Sequence, residues 1–390
     1  MDIEGHLNIR LSTDSGRVFQ VRIESSRPVH ASRVLEGKSI EAGLKILPML
    51  FSICGTAQAC AGVRSCEQAL GVKAAQPVER VRDALVRMET LREHLWRILL
   101  DWPGFLGEAP AQGGMSEMLV LLRDYRQAIM AESDPFRLVM AGPLTGSSRT
   151  HVMVPVELIQ GVGLTLESSV FGMPPESWLD IKQPQMLEEW AASGVTLAAR
   201  MVDHVIRSGW SGLGGCEMKA LPGLDPDLLH NLLHENAFVE RPQWLGECRE
   251  TSCLTRVDSP LLQQLSLQYR NGLLVRLVAR LTEIAQLAGK LLTGVGDEAG
   301  GESVAKQNPG IGQVAAARGQ LLHRVQVEGE AIVRYQILAP TEWNFHSQGV
   351  VAKALARLSG EAETIEQQAR LLINAIDPCV GYELSVGQEG

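Results

Sequence analysis

Aromatic side chains are scarce. Phe, Trp and Tyr make up 5% of the 390 residues, which leaves few flat surfaces on which bases could stack. Basic residues are also in deficit, with 36 Lys and Arg against 45 Asp and Glu and a formal charge of -9. A nucleic-acid binder neutralises phosphates with an excess of Lys and Arg, so no nucleic-acid partner is expected. Every apolar run is broken by charge well short of the length that spans a bilayer, so no membrane association is expected. The start, Met1 to His6, has neither a basic n-region nor an apolar h-region; the expectation is a cytoplasmic chain without a signal peptide. Phosphate loops, nucleophile elbows, HExxH helices and dinucleotide fingerprints are missing as well. The Gly-rich stretches at 212–215 and 293–301 lack the flanking pattern of a phosphate loop.

What the chain does have is apolar content of 45%, enough for one large core or two modest ones. Seven cysteines, at 54, 60, 66, 216, 248, 253 and 379, form an odd set in a large chain with no secretory signal. Free thiols, buried or metal-binding, fit that setting better than a disulfide framework.

The hydrophobic pattern predicts a mainly helical α+β protein with small antiparallel hairpins, folded as one domain over 1–390. Residues 3–24 alternate as a hairpin around Asp14-Ser15-Gly16. A helical body follows over 40–292. Ile40 to Phe51 is one helix, and a second starts near Cys54 and runs toward Leu70. The clearest places Val81, Ala84, Met88, Leu91, Leu95 and Ile98 on one stripe, with Pro103-Gly104 as its expected end. Residues 107–114 read as a loop, 115–131 as a helix, and 140–225 as a Gly- and Pro-rich stretch of shorter elements. Asp225-Pro226 has the form of an N-cap and first helical residue. A long helix is predicted over Leu261 to Leu292, then a Gly-rich loop over 293–312. The second hairpin, within 313–345, pairs Gln320 to Val327 with Ala331 to Leu338. The final region, 349–390, carries helices near 349–358 and 361–375 before Asp377-Pro378-Cys379.

Four constellations could carry chemistry. Cys54 opens a helix, where the dipole is expected to lower a thiol pKa and favour the metal-binding thiolate. Cys379 stands in a Asp-Pro-Cys turn near the end of the chain, and nothing in spacing brings it to Cys54. Arg318, in Ala317-Arg318-Gly319 with His323 beyond, offers a planar donor fork for anions. Pro340-Thr341 follows the hairpin, and the Thr hydroxyl can add a hydrogen bond. The fourth set, His230, His234, Cys248 and Cys253, has the donor types of a zinc site but loose spacing and inverted order. For each, the plain alternative is a packed thiol, a surface arginine or an unliganded histidine.

Taken in order, these segments resemble the nickel–iron hydrogenase large subunit. Ile3-Glu4-Gly5-His6-Leu7 looks like its opening IEGHLRI. Ile53-Cys54-Gly55 looks like the start of RICGVCxxxH, and Glu250 to Arg256 is similar to ExGPLAR. Ala317-Arg318-Gly319 with His323 looks like PRGxLxH. Pro340 to Asn344 looks like PTTWN, and Asp377-Pro378-Cys379 matches the opening of DPCxxCxxH. Residues 105–240 match poorly. In that family four thiolates hold nickel and an iron that carries cyanide and carbon monoxide. The resemblance puts Cys54 and Cys379 at the two terminal nickel positions. The bridging positions hold Ala57 and Tyr382, the motif histidines are Ala61 and Ser385, and the proline before the arginine is Ala317.

Cys60 cannot replace the lost thiol. Six residues on, it lies about 600°, or roughly 240° net, around the helix from Cys54, whereas Ala57 shares the face of Cys54. A stable nickel site needs several soft donors, so nickel and ordinary hydrogen turnover are not expected. The pattern is similar to the HupK/HoxV class of hydrogenase accessory proteins. The resemblance implies a non-enzymatic scaffold that transiently holds an Fe(CN)2CO fragment. Cys54 and Cys379 would be its metal ligands, and Arg318, Thr341 and Pro340 would line the cyanides. Implied partners are a small chaperone of the HypC type and the hydrogenase large-subunit precursor. The removable C-terminal extension of the family is expected to be missing. Because the retained thiols are the nickel-terminal pair, the fragment would sit displaced from its place in the family or be gripped differently. Two other readings stay open: a catalyst with altered metal chemistry using Glu4 or His323 as proton carriers, and a metal-free docking protein.

Overall fold

Strand β1, His6–Asp14, turns Leu7, Ile9 and Leu11 inward, each no more than 1% exposed, as strict alternation requires. It pairs antiparallel with β2, Arg17–Ser25, through a two-residue turn at Ser15 and Gly16, both at positive φ, the geometry of a tight hairpin. The computed structural model describes residues 5–27, 31–51, 53–130, 134–138, 154–292 and 308–388. Glu4 and most of the expected Gly-rich loop at 293–312 lie outside the described residues.

The last strand, Gly381–Gln388, adds to the free edge of β1 in parallel register, His6 opposite Gly381 and Leu7 opposite Tyr382. Sequence reading expected only antiparallel hairpins. A parallel neighbour is a pairing between distant segments, and no turn signal announces it. Its consequence is positional: the turn carrying Cys379 is held against the first strand.

The predicted stripe from Val81 to Ile98 is buried throughout, on the helix Gln76–Trp96 and the turn just beyond it. Pro103 does not end it. The chain widens into a π turn over Arg97–Asp101 and continues as Trp102–Leu106. The carbonyl of Leu99, which Pro103 cannot satisfy, accepts from the Ala111 amide at 2.8 Å. Gly107, at φ +70°, closes the helix instead. The helix expected over Ile40 to Phe51 stops at Ile46 and tightens into a 3-10 turn around Pro48. The middle segment is more helical than its Gly and Pro content suggested, with Val156–Leu166, Pro184–Ala192 and Leu197–Arg207 all packing on the main core.

The long helix expected from Leu261 to Leu292 is two: Pro260–Tyr269 and Leu273–Leu292. Arg270 and Asn271 both take positive φ at the break. A Cβ on Gly272 would lie 2.7 Å from the Gly212 backbone, so a neighbouring chain segment forces the break that side-chain periodicity could not reveal. Asp225 caps Pro226–His234 as expected, accepting from Leu228 N at 2.9 Å.

The second sheet is β3–β4–β5, with Gly310–Ala316 a third strand beside the expected hairpin Gly319–Glu328 and Ala331–Leu338. It lies directly on the helix Gly55–Leu70. Cβ atoms on Gly310 and Gly312 would meet the carbonyls of Ser65 and Ala61 at 2.0 and 1.9 Å. Backbone thus packs on backbone, which sets the depth of His323 behind Cys54. Among the described residues no helix is long and apolar enough to cross a membrane.

Candidate metal centre

Cys54 is the N-cap of the helix Gly55–Leu70. The helix dipole does not act on its sulfur as expected. The carboxylate of Glu89 already accepts from the Thr56 and Ala57 amides, at 2.7 and 3.0 Å. Burial is the main cause that pushes the half-buried Cys54 thiol up to about 12, and the charges of Cys379 and Glu89 add to it. A ligand that needs the thiolate must therefore displace a proton.

The sulfur is oriented from behind. Gln58, one turn on, donates from Nε2 to Cys54 Sγ at 3.5 Å. Its Oε1 lies 2.8 Å from His323 Nε2, and His323 Nδ1 lies 2.8 Å from Tyr335 OH. Since the amide oxygen can only accept, His323 carries its proton on Nε2, and Tyr335 donates to Nδ1. Burial drives His323 to about 3, so the ring is neutral. A neutral ring bonded at both nitrogens has no free valence for the proton-carrier role considered above.

Cys60 points elsewhere, as the helix geometry required. It is fully buried among Ala57, Ala61 and Leu321, in the field of Arg64 and Glu79.

Cys379 arrives from the other end of the chain. The helix Ala362–Ile376 ends on Asp377, at φ +71°, and Pro378 leads into Cys379. Its amide donates to Thr341 Oγ1 at 3.3 Å, and Cys379 Sγ lies 2.9 Å from the same oxygen. Pro340 is the first residue of the turn Pro340–Asn344 that presents Thr341. From the N-terminal side, Arg27 Nη1 donates to Cys379 Sγ at 3.5 Å and to Glu342 Oε1 at 3.1 Å.

Arg318 sits on the tight turn between β3 and β4 and is 4% exposed. That turn is braced by the segment Glu250 to Arg256. Arg256 donates to the carbonyls of Ala316 and Ala317 at 2.7 and 2.9 Å, and Thr251 Oγ1 accepts from Gln320 N at 2.8 Å. A Cβ on Gly319 would lie 2.3 Å from the Thr251 carbonyl, and its φ of +135° suits only glycine. Arg318 donates from Nε to Asp377 at 3.1 Å and from Nη1 to Glu93 at 3.0 Å. Burial opposes ionisation of Asp377, but Arg318, Arg97 and Arg280 overcome it and hold the carboxyl at about 2. Nη2 of Arg318 is buried with no hydrogen-bond partner among the described residues. Buried donors are almost always satisfied, and this one, like Arg280 Nη1, has a hydrogen free for an acceptor. Both thiols lie within the electrostatic reach of Arg318 and of Arg27.

The fold thus sets Cys379 on Thr341, which follows Pro340 in its turn, and puts Cys54 and Cys379 in the field of Arg318. The fourth constellation does not converge. Cys248 Sγ pairs with His346 Nδ1 at 3.2 Å, His234 meets Arg334, and Cys253 lies buried beside Glu283 and Arg280. Among the described residues no three His, Cys, Asp or Glu side chains are grouped to hold a metal ion. Sequence reading missed Arg27, Gln58 and Glu89. The i,i+4 step from Cys54 could have flagged Gln58; Arg27 gives no local signal.

Residues 272–381, which include Arg318, Thr341 and Cys379, match the nickel-dependent hydrogenase family. Over nearly the full chain the sequence is similar to the hydrogenase expression/formation protein HupK of Azotobacter vinelandii, 28% identical over 98% of both chains. The hydrogenase expression/formation protein HoxV of Cupriavidus necator is 29% identical over 94% of this chain and 93% of its own. Over nearly its whole length the chain is thus similar to proteins named for hydrogenase expression and formation. Its architecture is that of the nickel–iron hydrogenase large subunits. The reduced Ni-Fe-Se hydrogenase of D. vulgaris Hildenborough superposes with a TM-score of 0.55, at 18% identity and 97% of both chains.

Within this hydrogenase-type fold, the two positions that the sequence comparison assigned to bridging thiols lack sulfur. Ala57 is fully buried, and Tyr382 lines a groove of about 820 Å³ with Ile53 and Pro378.

Proposed function

We propose that this chain acts in hydrogenase maturation as a scaffold that holds an Fe(CN)2CO fragment for transfer to the hydrogenase large-subunit precursor. The observation that carries the reading is the buried Nη2 of Arg318, without a partner among the described residues and within electrostatic reach of two thiols. A cyanide nitrogen is an anionic acceptor suited to such a donor, and charge-assisted hydrogen bonds are the strong ones. Cys54 and Cys379 would give the iron two soft donors. Thr341, presented by Pro340, has one hydroxyl hydrogen to divide between Cys379 Sγ and a second cyanide.

The fragment is cargo, and the incomplete donor set suits that role. Two thiolates hold iron less firmly than four, and Gln58 and Arg27 solvate the sulfurs once it leaves. Nickel has no place in the reading. A small chaperone of the HypC type would bring the fragment, and both exchanges would take place in the cytoplasm. The kinship with proteins named for hydrogenase expression and formation supports a role in assembly over one in catalysis.

The test is metal analysis and hydrogen turnover on protein purified without air from cells that are making hydrogenase. The expected result is iron approaching one per chain, no nickel, and no hydrogen uptake or evolution. Nickel with turnover would favour a catalyst, and a metal-free protein in cells with active hydrogenase would favour a docking role.

A further inference from the structure

Arg27 lies outside every motif of the sequence, in the loop that leaves β2. Yet it is the second guanidinium at the thiol pair. Nη1 is shared between Cys379 Sγ at 3.5 Å and Glu342 Oε1 at 3.1 Å. The guanidinium carbon lies 5.9 Å from the centre of the Phe51 ring, close enough for a cation–π contact. The side chain is 9% exposed. It lines a groove of about 530 Å³ together with Thr341 and His346.

The two arginines are bound differently. Arg318 is fixed from inside by Asp377 and Glu93 and has one nitrogen to offer. Arg27 stands between the groove and Cys379 with a hydrogen bond on the sulfur itself. An iron that bonds to Cys379 Sγ draws electron density from the sulfur and leaves it a weaker acceptor for the Arg27 N–H. The anionic ligands that the iron carries would offer that N–H a stronger acceptor beside the same sulfur.

Resting on the scaffold reading above, we propose that Arg27 is a second recognition residue for the cyanide ligands of the fragment, exchanging its hydrogen bond from the Cys379 sulfur to a cyanide nitrogen on loading and back on release. One anionic acceptor replaces another at the same guanidinium, so neither state leaves the cation without a partner. Glu342 and Phe51 hold Arg27 in place through both. The groove on its outer side is lined by Arg27 and Thr341 and not by Arg318.

The experiment is infrared spectroscopy of wild type, R27M and R27K, each purified without air from hydrogenase-making cells. Cobalt(II) titration of the same proteins, read by thiolate-to-metal absorption, reports on the thiol pair alone. The expected result is cobalt binding that R27M retains, weakened only by the loss of one cation beside the thiolates and less than the fragment, with its cyanide bands displaced and weakened roughly tenfold, the worth of one hydrogen bond to a charged group. R27K keeps the charge but loses the planar fork, so its cyanide bands should move with a smaller loss of intensity; it decides the matter if R27M does not fold. Wild-type band positions and intensities in both variants overturn the role of Arg27 while leaving the scaffold standing. A wild type without bands overturns both.

Discussion

The neutral histidine behind Cys54 makes the acid stability of the fold a direct reading of the chain from Tyr335 to the thiol. Consider His323→Phe. Phenylalanine fills the ring volume but can neither accept from Tyr335 nor donate to Gln58, so two buried polar groups lose a partner. Each such loss costs about 1–3 kcal/mol, and a variant weaker by a few kcal/mol at neutral pH is expected. The decisive quantity is the slope with pH. Burial lowers His323 from 6.5 to about 3 in the folded state. A depressed basic group contributes stability that is present above its unfolded value and is lost as the pH falls below it. Between about pH 7 and about pH 5 that one residue should cost the wild type about 2 kcal/mol, and the Phe variant should be spared that share. Urea denaturation at the two pH values, comparing wild type with H323F, reads the difference directly. Equal losses in the two proteins would refute the buried neutral ring and the hydrogen-bond direction drawn from it.

Two further perturbations probe the site and its support. Glu89→Gln keeps an acceptor for the helix amides but removes the charge that raises the Cys54 thiol. Alkylation of Cys54 by iodoacetamide, followed by mass spectrometry at mildly alkaline pH, should quicken by up to about tenfold; an unchanged or slower rate would count against this electrostatic picture. Gly312→Ala puts a Cβ 1.9 Å from the Ala61 carbonyl, which the sheet can relieve only by lifting off the helix. A cost at or above the roughly 1–3 kcal/mol of an overpacked core is expected, seen as a melting temperature lowered by several degrees; a wild-type melting curve would show that the sheet and helix are not seated so closely.

The anchors of the site were legible because each is a short run of special residues. Cys54-Gly55, Arg318-Gly319, Pro340-Thr341 and Asp377-Pro378-Cys379 each join a functional side chain to a residue that fixes the backbone at a helix start or a turn. Their resemblance to one family gave them a common centre before any contact was known. The neighbours that tune them were not legible, since Arg27 and Glu89 act across long sequence distances and sit in unremarkable local contexts. The same reason hid the parallel strand Gly381–Gln388 and the break at Arg270–Gly272. Both are imposed by other segments, the first by the free edge of β1 and the second by the backbone of Gly212. The dipole argument for Cys54 failed because it considered the helix alone. Glu89, from the next helix, takes the amides on which the argument relied.

The claim that matters most is that Cys54 and Cys379 together hold a cyanide- and carbonyl-bearing iron. Infrared spectra of the protein purified without air from hydrogenase-making cells, beside C54A and C379A, address it with no assumption about partners. Cyanide and carbonyl stretching bands in the wild type that vanish in both variants are the expected outcome. Bands that survive loss of either cysteine, or a wild type with none in cells whose hydrogenase is active, would contradict it.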